Sequence, residues 1–128
     1  MKYAPAILVG LLTLTSAALA GTPPPPTPEL MAKGQQSYQA NCTVCHGDQG
    51  RGDGPAAVAL DPAPRNFWRD TFKKGDCLPQ IFDTLTAGIE GSSMPGWSSL
   101  SDEERWGLVY AVKAYEVAGH NSKCDPQP

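Results

Sequence analysis

Apolar residues along this chain recur at helical spacing. Leu30, Gly34 and Tyr38 fall on one face at four-residue intervals. Thr27 suits a cap, Pro28 the first helical position and Glu29 the positive end of the dipole, so a first helix is expected from Pro28 onward. Gly34 costs about 1 kcal/mol of helix stability relative to alanine, and a glycine on an apolar face implies that another backbone passes close by. Ile81, Phe82 and Leu85 predict a second helix over Pro79 to Ala87, with Asp76 near its start and Gly88 at its end. Ser101 and Glu104 form a capping box with Asp102 and Glu103 in the first turn. That box opens a last helix with Trp106, Val109, Tyr110 and Lys113 along one side, Leu108, Val112 and Tyr115 beside it, and Gly119 closing it. No segment alternates with strand period, so the expected fold class is all-α.

The polar and irregular stretches set the organisation. Residues 1–20 combine Lys2, an apolar run from Ala6 to Leu14 and small residues at Ala18 to Ala20, the layout of a cleaved signal peptide. The run is interrupted by Pro5, Thr13, Thr15 and Ser16 and falls short of the ~20 apolar residues of a spanning helix. Residues 21–28 are proline-rich and read as a short, stiff polyproline spacer or an inconsequential tail. One domain is expected over 29–128. Between Gly47 and Gly54 the chain alternates glycine with polar residues. This is not an EF-hand, because position twelve counted from Asp48 is Ala59 where a glutamate is required. It is not a phosphate loop either. Pro55 to Leu60 suits a short helical turn, and Pro62 and Pro64 hold the chain extended beyond it.

Charge narrows the partners. The 128 residues carry a formal charge of −3, which becomes −4 without residues 1–20 because Lys2 goes with them. An acidic chain of this kind is a poor match for the phosphate backbone, so no nucleic-acid partner is expected.

The four cysteines divide into a pair and two isolated residues. Cys42 and Cys45 stand two residues apart with His46 directly behind, whereas Cys77 and Cys124 stand alone. Two thiols at that separation lie about one helical turn apart, matching the two vinyl groups of a porphyrin edge, and the next residue offers an imidazole to the iron. A zinc site asks for a second close ligand pair, a thioredoxin-type pair asks for a βαβ setting, and a plain Cys42–Cys45 disulfide leaves His46 unexplained.

With these residues the sequence resembles the bacterial class I, monohaem cytochromes c across most of residues 29–119. The matching pieces are Cys42 to Gly47, Gly52 to Pro55, Asp61 to Phe67, Ser93 to Trp97 and Leu100 to Trp106. The resemblance implies a small cytochrome c fold, a few helices wrapped around one haem c, with thioethers at Cys42 and Cys45 and iron ligands His46 and Met94. It implies further that the Pro55 carbonyl accepts a hydrogen bond from His46, and that Gly34 and Tyr38 pack against the last helix with Leu108 as partner. The family commonly has an aromatic residue where this chain has Ala111, with Tyr110 one position early. Phe67, Trp68 and Trp97 are the candidates for the haem wall, and Arg65 and Asn66 for a propionate. Met31 reads as packing and His120 as a solvated tail residue.

With both axial positions filled, the iron has no place for a small-molecule substrate. The expected function is one-electron transfer between exported or membrane redox partners, with periplasmic or other exported localisation and no enzymatic activity. An enzyme or sensor with a displaced Met94, and a subunit of a larger respiratory or dehydrogenase complex, are the rival readings. Cys77 and Cys124 are expected to form a disulfide, because both lie outside the motif and an exported chain meets an oxidising compartment. A bridge between two molecules and two free thiols are the alternatives.

Overall fold

A computed structural model describes residues 21–116, and these form four α-helices with no strand among them. They are α1 (Pro28–Asn41), α2 (Thr43–His46), α3 (Leu78–Ala87) and α4 (Asp102–Tyr115), with a 3₁₀ turn at Ala57–Ala59. Residues 1–20, the expected signal peptide, together with Gly119, His120 and Cys124, lie outside the described residues.

Local chemistry starts each long helix. The Thr27 hydroxyl accepts from the Leu30 amide at 3.2 Å, and Pro28 occupies the first turn of α1. Ser101 and Glu104 exchange the two bonds of a capping box at the head of α4. α3 starts at Leu78, one residue before the expected Pro79 and close behind Asp76; its cap is Cys77, with the Gln80 side chain accepting from the Cys77 amide at 3.1 Å. The last helix is also shorter than predicted. It ends at Tyr115, because Glu116 turns into extended backbone before Gly119 is reached.

α1 and α4 cross at two glycines. A Cβ built on Gly34 would lie 2.0 Å from the Gly107 carbonyl oxygen, so the two backbones touch directly. The contact expected at Leu108 is therefore made one residue earlier, by Gly107. Leu108 is instead fully buried beside the crossing, together with Tyr38 and Val109. Burying each such side chain contributes about 1.5–3 kcal/mol, so this crossing is the main apolar anchor of the two helices.

α3 joins through α4. Phe82 stacks on Trp106 with centroids 4.3 Å apart, and the Arg105 guanidinium lies 4.9 Å over the Phe82 ring while donating to Thr86 at 2.7 Å. Asp102 pairs with the same guanidinium. The aromatic displaced from position 111 has its own use. The Tyr110 hydroxyl donates to the Pro24 carbonyl, which ties the proline-rich segment onto α4. That segment therefore does not hold the domain at a distance along its whole length.

Cys77 is disulfide-bonded, whereas Cys42 and Cys45 take part in no disulfide. The predicted partner, Cys124, lies outside the described residues. Alkylation of unreduced protein followed by mass spectrometry is expected to add no alkyl group to Cys77 or Cys124 and to show a monomer. Two alkylated residues at these positions would overturn the expected Cys77–Cys124 bridge, which would contribute ~4 kcal/mol in the chain-entropy picture.

Candidate functional site

α2 is a single helical turn, so apart from Thr43, whose carbonyl accepts from the Gly47 amide at 2.9 Å, its carbonyls find no partners along its own axis. The glycine-rich loop supplies them. The amides of Ala56, Gly54 and Gly52 donate to the carbonyls of Val44, Cys45 and His46 at 2.9, 3.1 and 2.9 Å. The loop must pass against bare backbone to do this. A Cβ on Gly54 would sit 2.4 Å from the Thr43 carbonyl oxygen, and Gly52 adopts φ +74° with the Pro64 carbonyl oxygen 2.5 Å from its Cβ position. The loop that looked superficially like a cation site is a cradle for the cysteine- and histidine-bearing turn.

Tyr38 fixes the same turn from behind, its buried hydroxyl donating to the Gly47 carbonyl at 2.8 Å. Burial, then the neighbouring Tyr115, holds its pKa well above the usual phenol value.

His46 is held on both sides. Its Nδ1 lies 3.1 Å from the Arg65 carbonyl oxygen, and its ring stacks on Phe67 with centroids 4.6 Å apart. A carbonyl can only accept, so Nδ1 carries the proton and the Nε2 lone pair is left for a metal. Burial lowers the pKa of this imidazole and keeps it neutral, against the opposing pull of the Arg65 carbonyl. The acceptor expected here was Pro55, and that expectation is corrected. Pro55 is exposed and borders a shallow surface hollow with Asp48 and Arg51, because its segment is drawn outward over the α2 carbonyls. The extended stretch through Pro62 and Pro64 brings the Arg65 carbonyl to the imidazole in its place.

These residues open onto one large cleft. It is partly open to solvent and is bordered by Cys42, Cys45, His46, Arg65, Phe67, Met94 and Trp97. Six of the predicted positions thus border the same cleft as Met94, which lies about fifty residues beyond the Cys42–His46 motif in the chain. Before any bond to a cofactor, burial and then the neighbouring Cys45 push the Cys42 thiol up to about 11.

The Met94 segment is pinned to the end of α3. Met94 accepts at its carbonyl from the Ile89 amide at 3.1 Å, its own amide donates to the Ser92 hydroxyl at 3.2 Å, and the Trp97 amide donates to the Leu85 carbonyl at 2.7 Å. Gly88 permits the approach. It adopts φ +74°, and a Cβ there would lie 2.7 Å from the Met94 carbonyl oxygen.

One expected wall residue, Trp68, and one expected propionate residue, Asn66, lie elsewhere. Trp68 turns away, its indole donating to the Gln49 carbonyl at 2.6 Å beneath Arg51. Asn66 closes a local turn, accepting from the Trp68 amide and donating its own amide to Asp70. The cleft wall also includes Phe72, Lys73, Lys74, Ile81, Leu85 and Ile89, which the sequence reading did not assign to the site. For Ile81 and Leu85 the signal was the apolar face of α3. For Phe72 and the two lysines no periodicity pointed inward.

A porphyrin fits this donor set. The cleft is walled mainly by apolar and aromatic side chains, with two thiols and a neutral imidazole on one segment and a thioether on another. Arg65, Lys73 and Lys74 offer positive charge to carboxylates, and the buried indole Nε1 of Trp97 has no hydrogen-bond partner among the described residues. An orphaned buried donor costs about 1–3 kcal/mol unless a further acceptor arrives.

The comparisons agree with this chemistry. Residues 29–110 match the family described as cytochrome c oxidase, cbb3-type, subunit III. A thiosulfate dehydrogenase of Stutzerimonas stutzeri (strain A1501) is 34% identical over 88 residues, covering 67% of this chain and 27% of that protein. The cbb3-type cytochrome c oxidase subunit CcoP of Azospirillum sp. (strain B510) is 33% identical over 91 residues, covering 71% of this chain and 28% of that one. The chain therefore spans little more than a quarter of the length of these curated relatives. Among solved structures, a chain of a Kuenenia stuttgartiensis reducing HAO-like protein complex superposes with a TM-score of 0.66 at 29% identity, covering 75% of this chain and 46% of that one. The cofactor is covalently bound haem c, and the chain belongs to the cytochrome c family of the cbb3-type oxidase subunit III description.

Proposed function

We propose that the protein is a one-electron carrier whose single haem is bonded to Cys42 and Cys45 and ligated by His46 and Met94. The observation that carries the reading is the convergence of those four side chains on one apolar cleft. Haem supplies reversible one-electron chemistry at iron. The chain's own residues bury it, set its axial ligands and leave no position for a substrate. A thioether is a soft ligand that favours ferrous iron, so a potential above that of a bis-imidazole haem is expected.

Covalent attachment is tested by extraction into acidified organic solvent. The haem is expected to stay with the protein, and to become extractable only when both Cys42→Ala and Cys45→Ala are combined. Extraction from the unaltered protein would remove the thioether assignment outright.

The donor and acceptor belong to the exported redox chemistry suggested by residues 1–20, and periplasmic placement is part of this proposal. No helix among the described residues is long and apolar enough to cross a membrane. Likeness to one domain-sized part of an oxidase subunit also supports a place inside a larger respiratory or dehydrogenase complex. A second reading, an enzyme acting on substrate, rests on the likeness to a thiosulfate dehydrogenase. Steady reduction of the oxidised protein by thiosulfate, with turnover in the presence of an electron acceptor, would decide for it.

A further inference from the structure

The last turn of α3 and the Met94 segment move as one unit. The Trp97 amide donates to the Leu85 carbonyl at 2.7 Å, the Ile89 amide donates to the Met94 carbonyl at 3.1 Å, and a Cβ on Gly96 would lie 2.7 Å from the Thr86 carbonyl oxygen. Wherever that turn sits, the thioether sits with it. The turn has no basic residue of its own, although the carbonyl end of a helix favours a cation. α4 supplies one from across the interface. One terminal nitrogen of Arg105 donates to the Thr86 hydroxyl at 2.7 Å, and that hydroxyl donates in turn to the Phe82 carbonyl at 2.8 Å. Asp102, one turn back on α4, holds the other terminal nitrogen, and the guanidinium lies over the Phe82 ring. Arg105 is 9% exposed, and its buried Nε has no hydrogen-bond partner among the described residues. A buried ion with an unmet donor is commonly no more stabilising than an apolar side chain of similar volume, so the geometry it fixes accounts for it better than stability does. Neither Arg105 nor Thr86 borders the cleft, so their influence on the iron must run through the Met94 segment.

We propose that Arg105 is a positioning residue for the sixth iron ligand: through Thr86 it locks the last turn of α3 and so keeps Met94 on the iron. The inference rests on the electron-carrier reading, which makes Met94 a ligand. A neutral thioether has no charge to draw it to the metal. Its hold depends on being presented in place, an ordering that the fold supplies in advance. The planar guanidinium suits this task because its fork bonds Thr86 and Asp102 at once, which the single ammonium of a lysine does not reproduce.

The test mixes dithionite-reduced holoprotein with saturating carbon monoxide in a stopped-flow spectrometer, where the rate of ligand capture is set by release of Met94. Arg105→Gln is expected to raise that rate about tenfold, the loss expected of one hydrogen bond from a charged group. In the oxidised protein the far-red band of iron–methionine ligation should disappear at lower pH than in the unaltered protein. Thr86→Val changes no charge and is expected to act in the same direction. The double variant should be no faster than Arg105→Gln alone, because both substitutions break one link. Arg105→Lys keeps the charge without the fork and should stay several-fold faster than the unaltered protein. Thr27→Ala removes the cap of α1 and loosens the fold away from α3, and is expected to leave the rate unchanged. An unaltered rate in Arg105→Gln, full recovery in Arg105→Lys, independent effects of Arg105 and Thr86, or equal acceleration by Thr27→Ala would each overturn the assignment. If Arg105→Gln does not fold, Thr86→Val and Arg105→Lys decide by the same rates. Unaltered protein that captures carbon monoxide without delay fails earlier, at the carrier reading itself.

Discussion

Replacing Met94 by alanine is expected to leave haem covalently attached, lower the reduction potential, and admit carbon monoxide to the iron. The loop that presents Met94 is held by backbone bonds to Ile89 and Ser92 and by the Trp97 amide on Leu85, none of which uses the thioether. The substitution therefore removes a donor without releasing the segment. Losing a soft ligand removes the preference for ferrous iron, so the potential should drop by on the order of 100 mV, a fraction of the ~0.8 V over which axial ligands set haem potentials. The weak far-red absorption of iron–methionine ligation should vanish from the oxidised spectrum. Met94→His is expected to close the sixth position again at a potential still below that of the unaltered protein. Spectroelectrochemical titration with and without carbon monoxide checks all three. If the unaltered protein already binds carbon monoxide rapidly and stoichiometrically, Met94 is not a ligand and the carrier reading gives way to an enzyme or sensor.

Gly34→Val should be the most damaging single substitution outside the ligands. Its Cβ position lies 2.0 Å from the Gly107 carbonyl oxygen and 2.7 Å from the Gly107 Cα, and both are helix backbone that no rotamer change can move. α1 and α4 would have to separate, drawing Leu30 and Tyr38 away from Leu108 and Val109. Overpacking of this kind costs about 3 kcal/mol, the upper end for core insertions, and lowers Tm by roughly 15 °C in a domain of this size. Tyr38 also anchors the Gly47 carbonyl behind His46, so haem incorporation should fall as well. Gln36→Val, on the exposed side of the same helix, is expected to stay within about 0.5 kcal/mol. Thermal unfolding followed by circular dichroism compares the two. Equal transition temperatures would show that the helices do not need the glycine crossing.

Residues that carry their own chemistry were legible one by one in the sequence. Cys42, Cys45 and His46 announce a porphyrin because their spacing is that of a helical turn, and α2 supplies that turn. The long helices were legible because caps and apolar faces are local: Thr27 and Ser101 act within three residues of themselves. Gly34 signalled a close crossing, but which residue it meets depends on the angle between two helices, and that placed Gly107 at the contact ahead of Leu108.

What only the tertiary structure decided concerns segments without periodicity. The partner of His46 is a backbone carbonyl, and every residue has one. Nothing in the residue types at 55 and 65 distinguishes Pro55 from Arg65 until the path of the chain is known. Trp68 and Trp97 are equally aromatic, yet a local turn points one outward onto Gln49 while the bond from Trp97 to Leu85 draws the other to the cleft. The glycine loop shows the same limit. Its residue types suggested only turns, and its role, closing the open carbonyls of α2, exists only once the loop and the helix are folded against each other.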